Sequence, residues 1–106
     1  MSFKTITIAR IYTIEGHDHA DQVLKILHDE IKVSGVSLIR GIAGYGEDGE
    51  IHTSSLISLS MELPIIIEFF DQPEKVEKAL QVLKSRLELK HVISWPATAY
   101  FEIAED

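Results

Sequence analysis

Residues 65–73, Ile-Ile-Ile-Glu-Phe-Phe-Asp-Gln-Pro, decide the fold of this chain. Residues 65–70 are the most β-prone run in the sequence and are apolar on both faces apart from Glu68, which predicts a central strand of a sheet. A helix start follows at once. Asp71 or Gln72 is expected at its cap and Pro73 in its first turn, where the missing N–H would have no partner.

Three further strands are predicted on either side of this one. Largely apolar residues predict strands at 3–12 and 36–40, and a β-prone run predicts the last strand at 98–103. Residues 91–93 are expected to be a short extended piece. Pro96 marks the start of the last strand or an edge of the sheet, because proline cannot donate to a ladder.

Two helices separate these strands. The first is predicted at 17–34, with Asp18 or His19 as its cap and Gly35 ending it. The second follows Pro73. Apolar residues three and four positions apart form one buried stripe on each helix: Ala20, Val23, Leu24, Leu27 and Ile31 on the first, and Val76, Ala79, Leu80, Leu83 and Leu87 on the second.

Two strand–helix–strand halves predict an α+β, ferredoxin-like βαββαβ fold, a four-stranded antiparallel sheet with both helices on one face. We expect residues 1–106 to form a single domain with one long connection at about 47–63. The other sheet face is expected to be too apolar for solvent, so a second protein surface should cover it, as in a homo-oligomer. The residues expected there are Ile6, Ile8, Ile65, Ile67 and Phe69.

Composition excludes several classes of function. The net charge is −7 and the ten basic residues are scattered, which argues against a nucleic-acid surface. The chain has no cysteine, so thiolate catalysis and cysteine zinc sites are excluded. No window resembles a signal peptide or a membrane span, so we expect a cytoplasmic protein without membrane insertion.

The connection from Arg40 to Pro64 holds the candidate functional residues. Gly41, Gly44 and Gly46 follow a Gly-x-x-Gly-x-Gly spacing, which is neither the Rossmann nor the P-loop pattern. Two interpretations stay open at this point. The glycines form a bend or β-bulge, or their backbone N–H groups cradle an anion.

Two polar clusters raise the question of a metal. His52 follows the acidic residues Glu47, Asp48 and Glu50, and is either a solvated loop histidine or a ligand. The residues His17, Asp18, His19 and Asp21 either cap the first helix or bind a metal; we favour capping, since helix starts select Asp.

Arg10 and Arg40 are expected on adjacent strands, each with an acidic partner or an anionic ligand. Glu68 is the obvious internal partner. No nucleophile motif or acid–base constellation occurs, so we do not expect an enzyme.

The run Arg40-Gly41-Ile42-Ala43-Gly44-Tyr45-Gly46, together with Ile51-His52-Thr53, Leu63-Pro64 and Ile67-Glu68, resembles a PII-like family long catalogued as a domain of unknown function. The resemblance extends over about residues 5–103, and more distantly to the nitrogen-regulatory PII signalling proteins. It implies a homotrimer whose sheets face inward, with adenine nucleotides in the intersubunit clefts. It also implies that the loop at 47–63 corresponds to the PII T-loop and is presented to a partner protein.

The implied ligand-binding residues are Arg40, Gly41, Gly44, Tyr45, Gly46, His52 and Thr53. Three departures from PII proteins argue against triphosphate binding. Glu47 and Asp48 follow the glycines, where PII proteins have basic and glutamine side chains. Residues 87–92 contain no glycine, whereas the corresponding PII segment is glycine-rich and holds phosphate. No tyrosine lies between Gly46 and Pro64 to match the modified tyrosine of the PII T-loop. We therefore expect AMP or ADP rather than ATP, with no cofactor required. The alternative is an oligomeric protein that binds a metal or small anion through the loop histidine and carboxylates.

Overall fold

The computed structural model describes residues 2–14, 19–45, 51–53 and 63–101. Six strands and two helices occur in this part of the chain. In order they are β1 (Ser2–Ile14), α1 (His19–Lys25), a π-helical segment (Ile26–Ile31), β2 (Gly35–Arg40), β3 (Ala43–Gly44), β4 (His52–Thr53), β5 (Pro64–Asp71), α2 (Pro73–Arg86) and β6 (His91–Phe101).

Four of the strands form one antiparallel sheet in the order β2-β5-β1-β6. The strand β5 pairs with β2 on one side and with β1 on the other, in registers that place Ile67 beside both Leu38 and Ile11. Each helix connects two strands that have a third strand between them, which is the predicted ferredoxin-like arrangement. The fold class predicted from the sequence is confirmed.

The core lies between the sheet and the helices. Alternate residues of β5 face the helices because successive side chains of a strand point to opposite faces, and Ile65, Ile67 and Phe69 are buried there. The buried apolar residues that pack with them are Ala9 and Ile11 of β1, Val23, Ile26 and Leu27 of the first helical region, and Val76, Ala79 and Leu83 of α2.

The first helix departs from its predicted form. It changes to π-helical geometry at Ile26 and ends at Ile31, and the Lys32 N–H donates to the Leu27 carbonyl at 2.8 Å. Gly35 was predicted to end the helix, but Lys32 does so in a left-handed conformation at φ 61°, and Gly35 begins β2. The wider π turn rotates the stripe, so Ile26 is buried beside Leu27.

The Asp71 carboxylate joins the end of β5 to the chain just before β2 and to the residue just before α2. One carboxylate oxygen accepts hydrogen bonds from the Ser34 N–H at 2.8 Å and the Ser34 hydroxyl at 3.1 Å, and the other accepts the Gln72 N–H at 2.7 Å. Burial opposes ionisation of Asp71. These hydrogen bonds and the charge of Lys75 outweigh burial and hold the pKa of Asp71 below its usual value. Asp71 belongs to β5, so the position before Pro73 that corresponds to the helix cap is Gln72.

The sheet face opposite the helices is apolar, as predicted, but part of the predicted residue set was wrong. Ile65, Ile67 and Phe69 face the helices, because β5 has the opposite phase. The exposed apolar side chains on the open face, hereafter the open sheet face, are Tyr12, Ile39, Phe70, Ile93, Trp95 and Phe101.

The last strand is longer than predicted. The expected extended piece at 91–93 and the expected strand at 98–103 are one strand as far as Phe101, and Pro96 lies in its middle on an edge of the sheet. A proline is tolerated at position 96, opposite Thr7, because an edge strand leaves one side of its backbone unpaired. Residues 102–103 lie outside the described residues.

Leu27 and Leu24 give a matched test of the helix packing. Leu27 is fully buried, whereas the partly buried Leu24 lies outside the core cluster. We expect Leu27→Ala to lower the free energy of unfolding by about 2–5 kcal/mol, because it leaves a cavity. Leu24→Ala should cost under about 1 kcal/mol, as at a surface position. Urea unfolding of both variants measures the difference, and equal losses would contradict this packing.

Asp71 should make stability depend on acid pH. Because its pKa is lowered on folding, its contribution is present above the unfolded-state pKa of about 3.9 and is lost as the pH falls through the folded value. Asp71→Asn should therefore be destabilised at pH 7 by about 1–3 kcal/mol, since a donor then faces a buried N–H. The difference in free energy of unfolding between Asp71→Asn and the wild type should shrink below about pH 3.9. Asp29→Asn is the control, since this exposed carboxylate contacts the exposed His28 ring and should contribute less than about 1 kcal/mol at pH 7. A difference between Asp71→Asn and the wild type that does not change with pH would refute the role of the Asp71 charge.

Candidate functional site

The base of the long connection is a two-stranded ribbon, hereafter the loop base, formed by β3 and β4. Gly44 pairs with His52 and Ala43 pairs with Thr53. Four predicted positions, Gly41, Gly44, His52 and Thr53, therefore lie within or next to one small element. The connection is thus not one structureless loop, since its first part folds back on itself before the chain continues to β5.

Pro64, the first residue of β5, packs against the start of this ribbon. The Gly41 N–H donates a hydrogen bond of 2.7 Å to the Pro64 carbonyl. A Cβ atom on Gly41 would lie 2.6 Å from the Pro64 Cγ, and one on Gly44 would lie 3.1 Å from the same atom. From the sequence alone, Pro64 only marks the end of the connection. Its place immediately before the apolar run is the signal that could have indicated a further role.

The loop base displays apolar side chains to solvent. Ile42, Tyr45 and Ile51 are among the most exposed large hydrophobic residues of the described chain, with 73% of Tyr45 exposed. An exposed tyrosine ring such as that of Tyr45 can stack on another planar ring. Tyr45 was a predicted contact, whereas Ile42 and Ile51 were not, because an isolated isoleucine in a loop carries no chemical signature.

Other elements reach the same end of the sheet as the loop base. Pro64 pairs with Ile14 at the end of β1, and two residues earlier Tyr12 pairs with His91 at the start of β6. The segment that joins α2 to β6, residues 87–90, therefore arrives at this end. This segment contains Lys90 and no glycine, and His91 follows it.

Arg10 and Arg40 are not on adjacent strands, which corrects the prediction. The strand β5 lies between β1 and β2, and the two arginines alternate onto opposite faces of the sheet. Arg10 pairs with Glu68, as expected, through an Nε–Oε1 contact of 2.7 Å, and this bond raises the pKa of Arg10. The Arg10 guanidinium also lies 5.8 Å from the centre of the Trp95 ring, a cation–π contact.

Some predicted residues fall outside the described chain. These are His17 and Asp18 of the polar cluster before the first helix, the glycine at 46, and the carboxylates Glu47, Asp48 and Glu50. Of the described residues, no three histidines or carboxylates come together as a metal site. Neither helix in the described ranges has the length and apolarity needed to cross a bilayer.

The sequence matches the family model DUF190, described as "Uncharacterized ACR, COG1993", over residues 5–99. This chain belongs to the DUF190 family. Two UPF0166 proteins are similar to it. One from Aquifex aeolicus (strain VF5) is 31% identical over 74% of this chain and 79% of the relative, and MJ1524 from Methanocaldococcus jannaschii is 35% identical over 72% and 73%.

The fold of this DUF190 protein is that of PII-like proteins. It resembles CPII, a nitrogen regulatory PII-like protein from Thiomonas intermedia K12, with a TM-score of 0.66, covering 92% of this chain and 91% of that one. The two are 18% identical, so this likeness concerns the fold. The CPII structure holds ADP, AMP and bicarbonate. The family and the PII-like fold expected from the glycine-rich run are thereby confirmed.

Proposed function

We propose that this DUF190 protein is a PII-like regulatory protein that binds a small adenine nucleotide, AMP or ADP, beside its loop base. In this proposal the site lies in a cleft between subunits of a homotrimer, and the loop at 47–63 is presented to a partner protein. The protein acts as a cytoplasmic sensor and not as an enzyme. It needs no cofactor for folding and contacts neither nucleic acid nor a membrane.

The observation that carries the proposal is the loop base itself. It gathers the predicted positions Gly44, Tyr45, His52 and Thr53 on one ribbon and exposes a tyrosine ring. An aromatic ring that faces solvent can stack on a purine, whereas polyphosphate would meet the acidic residues that follow Tyr45. The nucleotides held by CPII, which has the same fold, support the choice of AMP and ADP.

The open sheet face supports the homotrimer. Six large apolar side chains are exposed on it, and a surface of this kind marks a protein–protein interface. The Arg10–Glu68 pair stands among them, and the Arg10 guanidinium also contacts the Trp95 ring. A paired charge can be covered by a neighbouring subunit at a lower cost than a single one.

The small-anion alternative also has a supporting observation, since CPII holds bicarbonate as well as nucleotides. A metal site formed by His52 and the loop carboxylates stays a prediction. Elemental analysis of the purified protein, with His52→Ala as the comparison, tests it. Full metal content in the variant would exclude His52 as a ligand.

Nucleotide binding is tested by isothermal titration with AMP, ADP, ATP and cyclic AMP, each with and without bicarbonate. We expect AMP and ADP to bind, and ATP to bind more weakly. Absence of heat and of any thermal shift with all four nucleotides would contradict the proposal. Heat from bicarbonate alone would favour the small-anion alternative.

Tyr45 and Tyr100 form a matched pair for locating the site, because their side chains are 73% and 67% exposed. Tyr45→Ala should weaken AMP binding about tenfold or more, since stacking of a base on an aromatic ring is worth roughly 1–3 kcal/mol. Tyr100→Ala, at the far end of β6, should leave the affinity unchanged. Equal affinities for the wild type and Tyr45→Ala would remove Tyr45 from the site.

The trimer is tested by light scattering after gel filtration. At micromolar concentration we expect three times the 11.9 kDa mass of the chain. Ile93→Glu, on the open sheet face, should give monomers because it buries an unpaired charge at the interface. Leu38→Glu is the control, since Leu38 is similarly exposed (41% against 48%) but lies on the other face, and it should stay trimeric. A monomeric wild type would refute the trimer.

A further inference from the structure

Gly41 and Gly44 are not required for their backbone conformation. Neither has a φ in the left-handed region that favours glycine. A nest for an anion alternates right- and left-handed residues, and these two glycines do not provide the left-handed member. In addition, the Gly41 N–H already donates to the Pro64 carbonyl at 2.7 Å. The reason for glycine at position 41 must lie elsewhere.

The remaining reason for glycine at position 41 is the lack of room for a side chain. The Pro64 Cγ occupies the position that a side chain at 41 would need, since a Cβ there would stand only 2.6 Å away. Atoms at this separation overlap. The proline ring is closed onto its own backbone, so a change of pucker is the only internal motion that can shift its Cγ. A side chain at position 41 would therefore push the backbone of the connection away from β5.

This contact joins the loop base to the sheet. Pro64 is fixed because it begins β5 and pairs with Ile14 of β1. Gly41 and Gly44 stand on either side of Ile42 and Ala43 and both approach the same Cγ, at 2.6 and 3.1 Å for their missing Cβ atoms. Tyr45 follows directly, so the place of its ring depends on how closely this backbone lies on Pro64.

We propose that Gly41 and Pro64 are positioning residues, which hold the loop base and its Tyr45 ring in place by close packing of a proline ring on a glycine backbone. The link from this packing to ligand affinity rests on the proposed nucleotide function. The packing itself does not. Gly41 thus acts on the ligand through Tyr45 and not by cradling a phosphate.

The test is a rescue experiment with the full-length variants Gly41→Ala, Pro64→Ala and the double variant, titrated with AMP. Gly41→Ala should bind AMP about tenfold more weakly, a change of about 1.4 kcal/mol. Pro64→Ala removes the obstructing Cγ, so the double variant should regain most of this loss. A purely local role of Gly41 as a ligand contact predicts no such rescue.

Gly35→Ala is the matched control. A Cβ there would lie 2.6 Å from the Phe70 ring, but Gly35 is at the other end of β2 and the partly exposed ring can move. Its AMP affinity should equal that of the wild type, even where its thermal unfolding temperature falls. A loss of affinity in Gly35→Ala as large as in Gly41→Ala would show a general effect of reduced stability and overturn the proposal.

A second readout does not depend on nucleotide binding. In the free proteins, Gly41→Ala should shift the ¹H–¹⁵N resonances of Gly44 and Tyr45, and the double variant should return them toward their positions in Pro64→Ala. If the wild type binds no nucleotide, the proposed function fails but these shifts still decide the positioning role. Unshifted resonances in Gly41→Ala, or no return in the double variant, would overturn it. If Gly41→Ala does not fold, a folded double variant supports the proposal and an unfolded one overturns it.

Discussion

The structure depends on the insertion of β5 between β1 and β2. This strand pairs along its length with both neighbours and sends Ile65, Ile67 and Phe69 into the core, so its position fixes the positions of β1 and β2. At its far end, the Asp71 carboxylate binds the chain just before β2 and the first residue after β5. A displaced β5 would lose its ladder bonds, its core residues and this buried carboxylate network together.

The same strand also determines where the candidate site lies. The carbonyl of its first residue, Pro64, accepts a hydrogen bond from the Gly41 N–H, and the Pro64 ring packs against the Gly41 backbone. The long connection therefore leaves and rejoins the sheet at one point, with the β3–β4 ribbon held there. A binding surface on a connection gains precision when its base is fixed to a rigid element, and that is the arrangement found here.

The two faces of the sheet differ in what covers them. One is covered by the helices and contains the close-packed core, whereas the open sheet face carries exposed rings and a paired arginine. In a PII-like trimer, a neighbouring subunit would cover that face and bring a second chain toward the loop base. Association and ligand binding would then be linked, because the proposed site lies between subunits. The stability of such an assembly would vary with protein concentration and with ligand.

The sequence by itself determined the order of elements, the fold class and the family, because these follow from local periodicity and a specific motif. It offered Glu68 as a partner for Arg10, and the structure decided between this ion pair and an anionic ligand. Tertiary structure decided the π-helical turn that buries Ile26, the single long strand through Pro96, and the separation of Arg10 from Arg40 by β5. It also decided that Gly41 stands against Pro64. These features depend on contacts between residues distant in the chain, where packing overrides local preference, and the spacing of residues along a sequence does not encode them.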